Sequence, residues 1–258
     1  MRIVVVLKQI PDLVEEFEID GDGTDIDRDF LTFLLNEFDN HALEEALLIK
    51  DATGATVDVV SLDDAEVDQA LFTALAKGAD NAIKLVGCDS EENWIDSHTR
   101  AAVLAQWLGA ETYDLVLTGV QAADDLDGQL APLLGATLGL PHVSVVVGVE
   151  VADGTARISQ EFAGGVVAEL DVALPAVIGV QAARAEPRYA AISKIRQAQQ
   201  DGSLDEVDID PPDAGGGLTV RRMYPPEQSG RAEMLTGADE EIADRIIDLI
   251  RERGLLQG

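Results

Sequence analysis

DLVLTGVQAADDLDGQLAPLLGATLGLP, residues Asp114 to Pro141, is the stretch from which the fold can be read. Asp114 to Gly119 is an apolar run with glycine at its end, the pattern of a buried strand. Gln121 to Asp127 is a polar loop. From Asp127 to about Leu138, the residues Leu130, Leu133, Leu134 and Leu138 recur at helical spacing, and Gly139 and Pro141 stop the pattern. Strand, glycine-bearing loop and helix in that order place backbone N–H groups and the positive end of a helix dipole at a strand's C-terminal edge. That arrangement suits a phosphate group. Asp124, Asp125 and Asp127 read two ways: they repel a phosphate if they face it, or they cap the helix and hold ribose hydroxyls.

Working outward, Arg2 to Leu7 is a continuous apolar run, expected to be a parallel strand buried on both faces. Pro11 breaks the pattern, and Asp20-Gly21 and Asp22-Gly23 mark a hairpin or irregular loop between Glu15 and Arg28. Asn36 suits an N-cap for a helix running to about Lys50, with Phe38, Ala42, Ala46 and Ile49 on one face and His41 exposed. Thr56 to Leu62, Asn81 to Val86 and Asp114 to Gly119 are further strands. They alternate with helices at Glu66 to Lys77 and Ile95 to Gly109. That alternation predicts an α/β fold with a doubly wound, mostly parallel, Rossmann-like sheet, whose ligands bind beyond the strands' C-terminal ends. Those ends are Leu7-Lys8, Ser61-Leu62 and Gly119-Val120-Gln121, with Asn36 nearby.

After Pro141 the grammar changes. Val143 to Val151, Ala156 to Phe162 and Val166 to Leu174 alternate with Asp153-Gly154 and Ala163-Gly164-Gly165, an antiparallel meander on the sheet's edge. Pro175 to Val180 is a short apolar strand, Gln181 to Gln200 is polar and lightly helical, and Asp201 to Gly217 reads as linker. A final helix, Asp239 to Arg253, stacks Ile242, Ile246, Ile247 and Ile250 on one side, a stripe that must pack on something. The expected division is an α/β nucleotide-binding domain over 1–196 and a linker with C-terminal helix over 197–258.

Of the 258 residues, 47% are hydrophobic, ample for a core. No apolar run of membrane-spanning length and no signal-type leader is read, so a soluble, cytoplasmic protein is expected. Cys88 is the single cysteine, which excludes an intrachain disulfide and a cysteine metal cluster. The net charge of −31 opposes nucleic-acid binding and self-repels at low salt, an expectation of a salt-rich, halophilic setting. The three histidines, His41, His98 and His142, sit on separate elements, and no hydrolytic set emerges.

The chain resembles the beta subunit of electron-transfer flavoprotein. The residues that carry the resemblance are Lys8-Gln9-Ile10-Pro11-Asp12, Asn36-Glu37-Phe38-Asp39 leading into Ala42-Leu43-Glu44-Glu45-Ala46, and Gly78-Ala79-Asp80. With them go Asp114 to Gly119 before Gln121-Ala122-Ala123-Asp124-Asp125 and Gln129, then Leu174-Pro175-Ala176-Val177 and Glu186-Pro187-Arg188-Tyr189-Ala190. Each motif alone is degenerate; in this order and spacing they are specific. Similarity runs from Met1 to about Arg196 and returns at Tyr224-Pro225-Pro226.

The resemblance implies a heterodimer with an alpha subunit that holds most of a redox FAD, while this subunit binds AMP. The AMP site would be Val6, Asn36, Leu62 and the loop Gly119, Val120, Gln121, Ala122, Ala123, Asp124, Asp125, Leu126, Asp127, Gly128, Gln129 and Leu130. Leu13 and Phe38 would lie near the flavin. A partner-recognition loop would comprise Arg188, Tyr189, Ala190, Ala191, Ile192, Ser193, Lys194, Ile195, Arg196 and Gln197, with Ile192 as its apolar anchor, and a C-terminal extension would wrap the partner. Electrons would pass from flavin dehydrogenases, such as acyl-CoA dehydrogenases, to a membrane quinone oxidoreductase; the flavin, not this subunit, does the chemistry. The chain departs from the family at Leu13, where some members have Tyr, at Gln160 and Ala163, and at Gln197 and Gln200, where some carry methylated lysines. Two alternatives stay open. One is a bifurcating member with a second FAD in place of AMP, which Lys8 to Asp12 and Asp39 resemble; Asp125 and Leu126 argue against it by adding charge and volume beside a diphosphate. The other is a stand-alone adenine-nucleotide sensor.

Overall fold

In the computed structural model, which describes residues 1–14, 16–29, 31–88, 95–125, 127–212, 217–226 and 234–255, the first strand sends alternate side chains into two separate cores. Ile3 and Val5 of β1 (Arg2–Val6) join one cluster, and Val4 and Val6 join the other. This period of two, with no polar face, is why the strand reads as an unbroken apolar run. Each fully buried Ile or Leu contributes roughly 1.5–3 kcal/mol.

The elements follow in order: β2 (Gln9–Pro11), β3 (Phe33–Leu35), α1 (Glu37–Thr53), β4 (Thr56–Leu62), α2 (Val67–Lys77), β5 (Asn81–Val86), α3 (Ser97–Leu108), β6 (Leu115–Gly119) and α4 (Leu130–Leu138). After them come β7 (His142–Ala152), β8 (Thr155–Phe162), β9 (Val166–Ala173), β10 (Ala176–Val180), α5 (Ile192–Asp201), β11 (Asp205–Asp208) and α6 (Asp239–Glu252). The strand order in the main sheet is β11-β5-β4-β1-β6-β10-β7-β8-β9. β1 lies between β4 and β6, both parallel to it, so the chain winds outward through β5 and then returns to the other side. That reversal is the topological switch point, and it opens a crevice at the C-terminal ends of β1 and β6. Buried residues of α1 and α2 fill one core and those of α3 and α4 the other.

The antiparallel meander is present as β7, β8 and β9. Its first strand also runs parallel to β10, which inserts between β6 and β7. Three expectations are corrected. Pro11 does not end the order of its segment: β2 pairs antiparallel with β3 as a separate small sheet, and a proline is tolerated in such a short edge pairing. The stretch read as linker from Asp201 holds β11, which joins the main sheet parallel to β5. Its Glu206 lies 3.1 Å from the Lys84 ammonium of β5, which Asp68 of α2 also approaches at 3.1 Å. Much of the expected recognition loop is helix, α5, which packs on α2.

The chain divides into two compact units, Met1–Met223 and Tyr224–Gly258. The second contains α6, whose first turn is capped by the Glu241 carboxylate accepting the Ala238 N–H at 3.2 Å. Among the described residues no helix is long and apolar enough to cross a membrane.

Candidate functional site

The crevice at the switch point is built from five segments: the β1–β2 junction, the N-terminus of α1, α3, the end of β6 and the loop after it. A cavity of about 10 Å³ remains among Val6, Lys8, Asn36, Asp39, Ser97, Arg100, Gly119, Gln121, Ala122, Asp125 and Leu130. That is room for about one water.

Lys8 leaves the C-terminal end of β1 and is buried, and its ammonium bridges Asp124 Oδ1 at 2.6 Å and Asp125 Oδ1 at 3.0 Å. Asp125 also turns its second oxygen back on its own loop, accepting the Ala122 N–H at 3.0 Å. Asp127 accepts from the Ser97 hydroxyl at 2.7 Å. None of these aspartates caps the following helix, which begins at Leu130 behind Gln129 rather than at Asp127. The acids are taken by tertiary partners, so the helix starts later than its apolar spacing predicts. Gly128 makes the turn with φ 59°, a conformation favouring glycine.

Asn36 occupies the N-cap position of α1, yet its side chain makes no cap bond. Its amide Nδ2 donates instead to the Gln121 carbonyl at 2.9 Å, and its N–H donates to the Lys8 carbonyl at 2.9 Å, tying α1 to both other segments. Asp39, three residues on, is buried, and its Oδ1 accepts the Gly119 N–H at 2.8 Å. Burial pushes the Asp39 carboxyl up to about 7, against the hydrogen bonds of Gly119 and Asn36 and the charge of Lys8, which pull it down; Asp125 adds to the rise. Gly119 is required here because a Cβ would lie 2.8 Å from Phe38 Cβ and 2.9 Å from the Asp39 nitrogen.

Arg100 comes from the apolar face of α3 and is buried against Asp64, with both terminal nitrogens at 2.9 Å from its carboxylate. Burial alone would weaken the charge, but Asp64, with Asp124 and Asp125 beyond, holds the guanidinium more firmly protonated than usual. Its Nε has no hydrogen-bond partner. An unpaired buried N–H costs about 1–3 kcal/mol and marks where an acceptor belongs.

Of the residues expected to hold a nucleotide, Val6, Asn36, Gly119, Gln121, Ala122, Asp125 and Leu130 line this cavity together. Leu62 does not: it is fully buried in the core beside α3. Val120 ties the loop to β10 by donating to the Val180 carbonyl at 3.0 Å, and Ala123 lines a neighbouring cavity of about 240 Å³. Leu126 lies outside the described residues. Leu13 is exposed on that second cavity beside Pro11 and Phe17, while Phe38 is half-buried against Gly119. A wider, open cavity of about 890 Å³ lies elsewhere, between residues 20–29 and the start of α3. Its Asp20 carboxylate is already engaged by the N–H groups of Gly23 and Thr24, at 2.6 and 3.0 Å.

Sequence reading passed over Asp39, Ser97, Arg100 and Asp64 as site residues. Arg100 carried a usable signal: it shares a helical face with Leu104 and Trp107, where an arginine needs a buried partner. Asp39 carried a misleading one, since Asn36 with an acid three residues later reads as mutual capping.

The expected recognition segment is held from below. Buried Glu44 accepts from the Arg188 N–H at 2.8 Å and its Nε at 3.0 Å, and buried Glu45 accepts from the Arg184 N–H at 2.9 Å and its Nε at 2.7 Å. Half-buried His41, expected to be exposed, accepts the Ala183 N–H at 3.3 Å. Tyr189 and Ile192 project outward, 81% and 61% exposed. Ala190 is buried; Ser193, Lys194, Arg196 and Gln197 are exposed on α5, with Ala191 and Ile195 half-buried.

The electron transfer flavoprotein domain model matches residues 27–212. The chain belongs to the electron transfer flavoprotein family, beta-subunit branch. The electron transfer flavoprotein subunit beta of Methylophilus methylotrophus is 36% identical over 263 residues, covering 98% of each chain. The subunit beta of Clostridium acetobutylicum is 32% identical over 259 residues, again 98% of each. The caffeyl-CoA reductase-Etf complex subunit CarD of Acetobacterium woodii is 28% identical over 267 residues, 99% of this chain and 100% of that one. Membership in this family carries an electron-transfer role and a flavin or nucleotide cofactor at the coarse level.

Proposed function

We propose that this chain is the beta subunit of a cytoplasmic, heterodimeric electron carrier. In this reading it keeps a structural AMP in the cleft of Lys8, Asn36 and Arg100. It shields a redox FAD shared with an alpha subunit, and the heterodimer carries electrons from flavin dehydrogenases to a membrane quinone reductase. One observation carries the nucleotide assignment: Arg100, whose buried Nε has no acceptor, lines the same cavity as Lys8, at the C-terminal ends of β1 and β6. A guanidinium N–H and an ammonium so placed are the donors a phosphate takes, and the first N–H groups of α4 add a helix end of the right sign. The donor set therefore fits the group. In this reading the phosphate oxygens would take the place beside Lys8 that the Asp124 and Asp125 carboxylates hold.

When bound, the flavin supplies the electron-carrying chemistry. The chain's residues bind, orient and exclude water. Leu13 and Phe38 offer apolar surface beside the cleft, and Glu44 and Glu45 hold the 181–190 segment so that Tyr189 and Ile192 face outward for a dehydrogenase.

A second reading, a bifurcating subunit with two FAD and no AMP, draws support from the likeness to the caffeyl-CoA reductase-Etf complex subunit and from Asp39 following Phe38. Co-expression with the alpha subunit, denaturation and chromatography of the released nucleotides separates the two. One FAD and one AMP per heterodimer is the expected result; two FAD with no AMP selects the second reading. A colourless, well-behaved monomer that binds AMP or ATP reversibly and recruits no flavin would overturn the electron-carrier assignment.

A further inference from the structure

Helix α5 has little of its own to hold it. Its 10 residues fall short of the roughly 12–15 at which an isolated helix is even marginal. Ala191 at its N-cap makes no side-chain bond, and none of its residues is buried. Lys194 stands in its first turn and Asp201 at its end, both the wrong sign for a helix dipole. The chain on either side is anchored far more firmly. Upstream, buried Glu44 accepts from the Arg188 N–H and Nε, and Arg188 Nη2 donates to Glu44 Oε1 and to Asp51, at 2.9 Å each. Just before it, Arg184 is held by Glu45, whose Oε1 also accepts the Val149 N–H of β7 at 2.9 Å. Downstream, β11 pairs with β5, Glu206 meets Lys84 at 3.1 Å, and the Ile209 N–H donates to the Val86 carbonyl at 2.8 Å. Leu204 and Ile209, on either side of β11, pack into the two cores. The helix is a span between two fixed ends.

We propose that Glu44 and the Glu206–Lys84 pair are positioning residues of a docking surface: they fix the two ends of α5, and through it where Tyr189 and Ile192 stand before a partner dehydrogenase. The inference rests on the docking reading above and deepens it. A buried ion pair adds little net stability, because desolvation offsets the attraction, yet a guanidinium bound on two sides has few alternative placements. Glu44 and Arg188 therefore serve geometry more than stability. Glu206 is exposed, so its pair with Lys84 also adds little, but it fixes which residue of β11 stands beside Lys84 and so where the chain leaves α5. Tyr189 directly follows Arg188, and Ile192 opens the helix. Loosening either anchor frees the span to shift over α2, on which it packs, while the sheet below is untouched.

The test uses the heterodimer of the full chain with its alpha subunit, as wild type, Glu44→Gln and Glu206→Lys. The second variant sets an ammonium beside Lys84 at an exposed position, and Asp51→Asn, at the exposed partner of Arg188, replaces Glu44→Gln if that variant does not fold. Amide hydrogen exchange is followed in α5, with β1 as the reference. Exchange of α5 should quicken about three- to tenfold in each variant, with β1 unchanged. The KM of the heterodimer as acceptor for an acyl-CoA dehydrogenase should rise by a similar factor, with kcat and reduction by dithionite unchanged. Unchanged α5 exchange in both variants overturns the inference and leaves the docking reading standing. Faster α5 exchange with an unchanged KM overturns it too, because the helix then moves without moving the docking surface. Equal quickening of β1 shows a loosened domain and no positioning role. A response in only one of the folded variants overturns the claim of two anchors. A wild-type heterodimer that dithionite reduces and the dehydrogenase does not overturns the docking reading; hydrogen exchange, which needs no dehydrogenase, still decides the anchors.

Discussion

The two ends of the same parallel strands are built on opposite principles. At the N-terminal end, charged groups are fitted to one another. Arg2 reaches Asp58 at 2.5 Å, Glu111 at 2.7 Å and the Thr112 carbonyl at 3.0 Å, and Asn81 donates to the other Asp58 oxygen at 2.6 Å. Asp80 accepts from the Val57 N–H at 2.8 Å and from Lys50 at 2.6 Å. At the C-terminal end, Arg100 Nε and Gln9 Oε1 are buried without partners, and Asp39 sits far above the ordinary carboxylate range. A saturated network holds a fold together. An unsaturated one at a switch point breaks local rules in the way a ligand site does, which is what the proposed nucleotide would complete.

The comparison can be broken first at its structural end. Arg2→Met leaves the Asp58 carboxylate buried with only Asn81 beside it. A loss of about 2–3 kcal/mol is expected, discounted for the partial exposure of Arg2, and read as a lower denaturant midpoint. Nucleotide content should not change; parallel loss of nucleotide would erase the distinction between the two ends. Gly119→Ala acts at the other end and should cost about 1–3 kcal/mol through the forced contact with Phe38 and the Asp39 backbone. Here nucleotide retention should fail together with stability.

Asp39→Asn sharpens the contrast through pH. Because the folded-state carboxyl titrates near 7 rather than 3.8, the folded chain holds more protons than the unfolded one between those values. Stability therefore falls as pH rises through that window and stays lowered above it. The variant removes this loss, so it should be more stable than wild type at pH 8, by on the order of 1–3 kcal/mol, with no gain near pH 4. Thermal unfolding across that range checks it; a uniform offset at all pH values would contradict the assignment. The smallest stability effect belongs to Ile192→Ala, within about 0.5 kcal/mol because the side chain is exposed. Electron transfer from a partner dehydrogenase should nonetheless slow, by an amount corresponding to about 1–3 kcal/mol of binding. A drop in melting temperature with normal transfer would show that Ile192 only packs.

The parallel sheet was legible because burial on both faces leaves an unmistakable pattern, continuous apolar runs such as Ile3 to Leu7 and Leu115 to Leu117. The edge that carries the cleft was legible for a related reason: alternation of strands with helices implies parallel strands whose C-terminal ends share one side of the sheet. Its chemistry was less so. Asn36 was recognised as a helix start, but its side chain serves the Gln121 carbonyl and not its own helix. Of the readings left open for the loop's acids, the helix cap is not taken up: they answer to Lys8 and Ser97. Glu44 and Glu45 of α1 are buried against Arg184 and Arg188, more than a hundred residues later, a pairing that no local pattern records.

By itself, the sequence determined the α/β class, the antiparallel meander and the strand, glycine-bearing loop and helix from Asp114 to Leu138. Each depends on local period, on backbone freedom, or on chain order. Tertiary structure alone decided that β10 enters the middle of the sheet, that β11 closes its edge, and that Arg100 and Asp39 line one cavity. These outcomes depend on contacts between segments far apart in the chain. No window of neighbouring residues records whether a buried charge at one position will find its counter-ion, or be left short of one, at another.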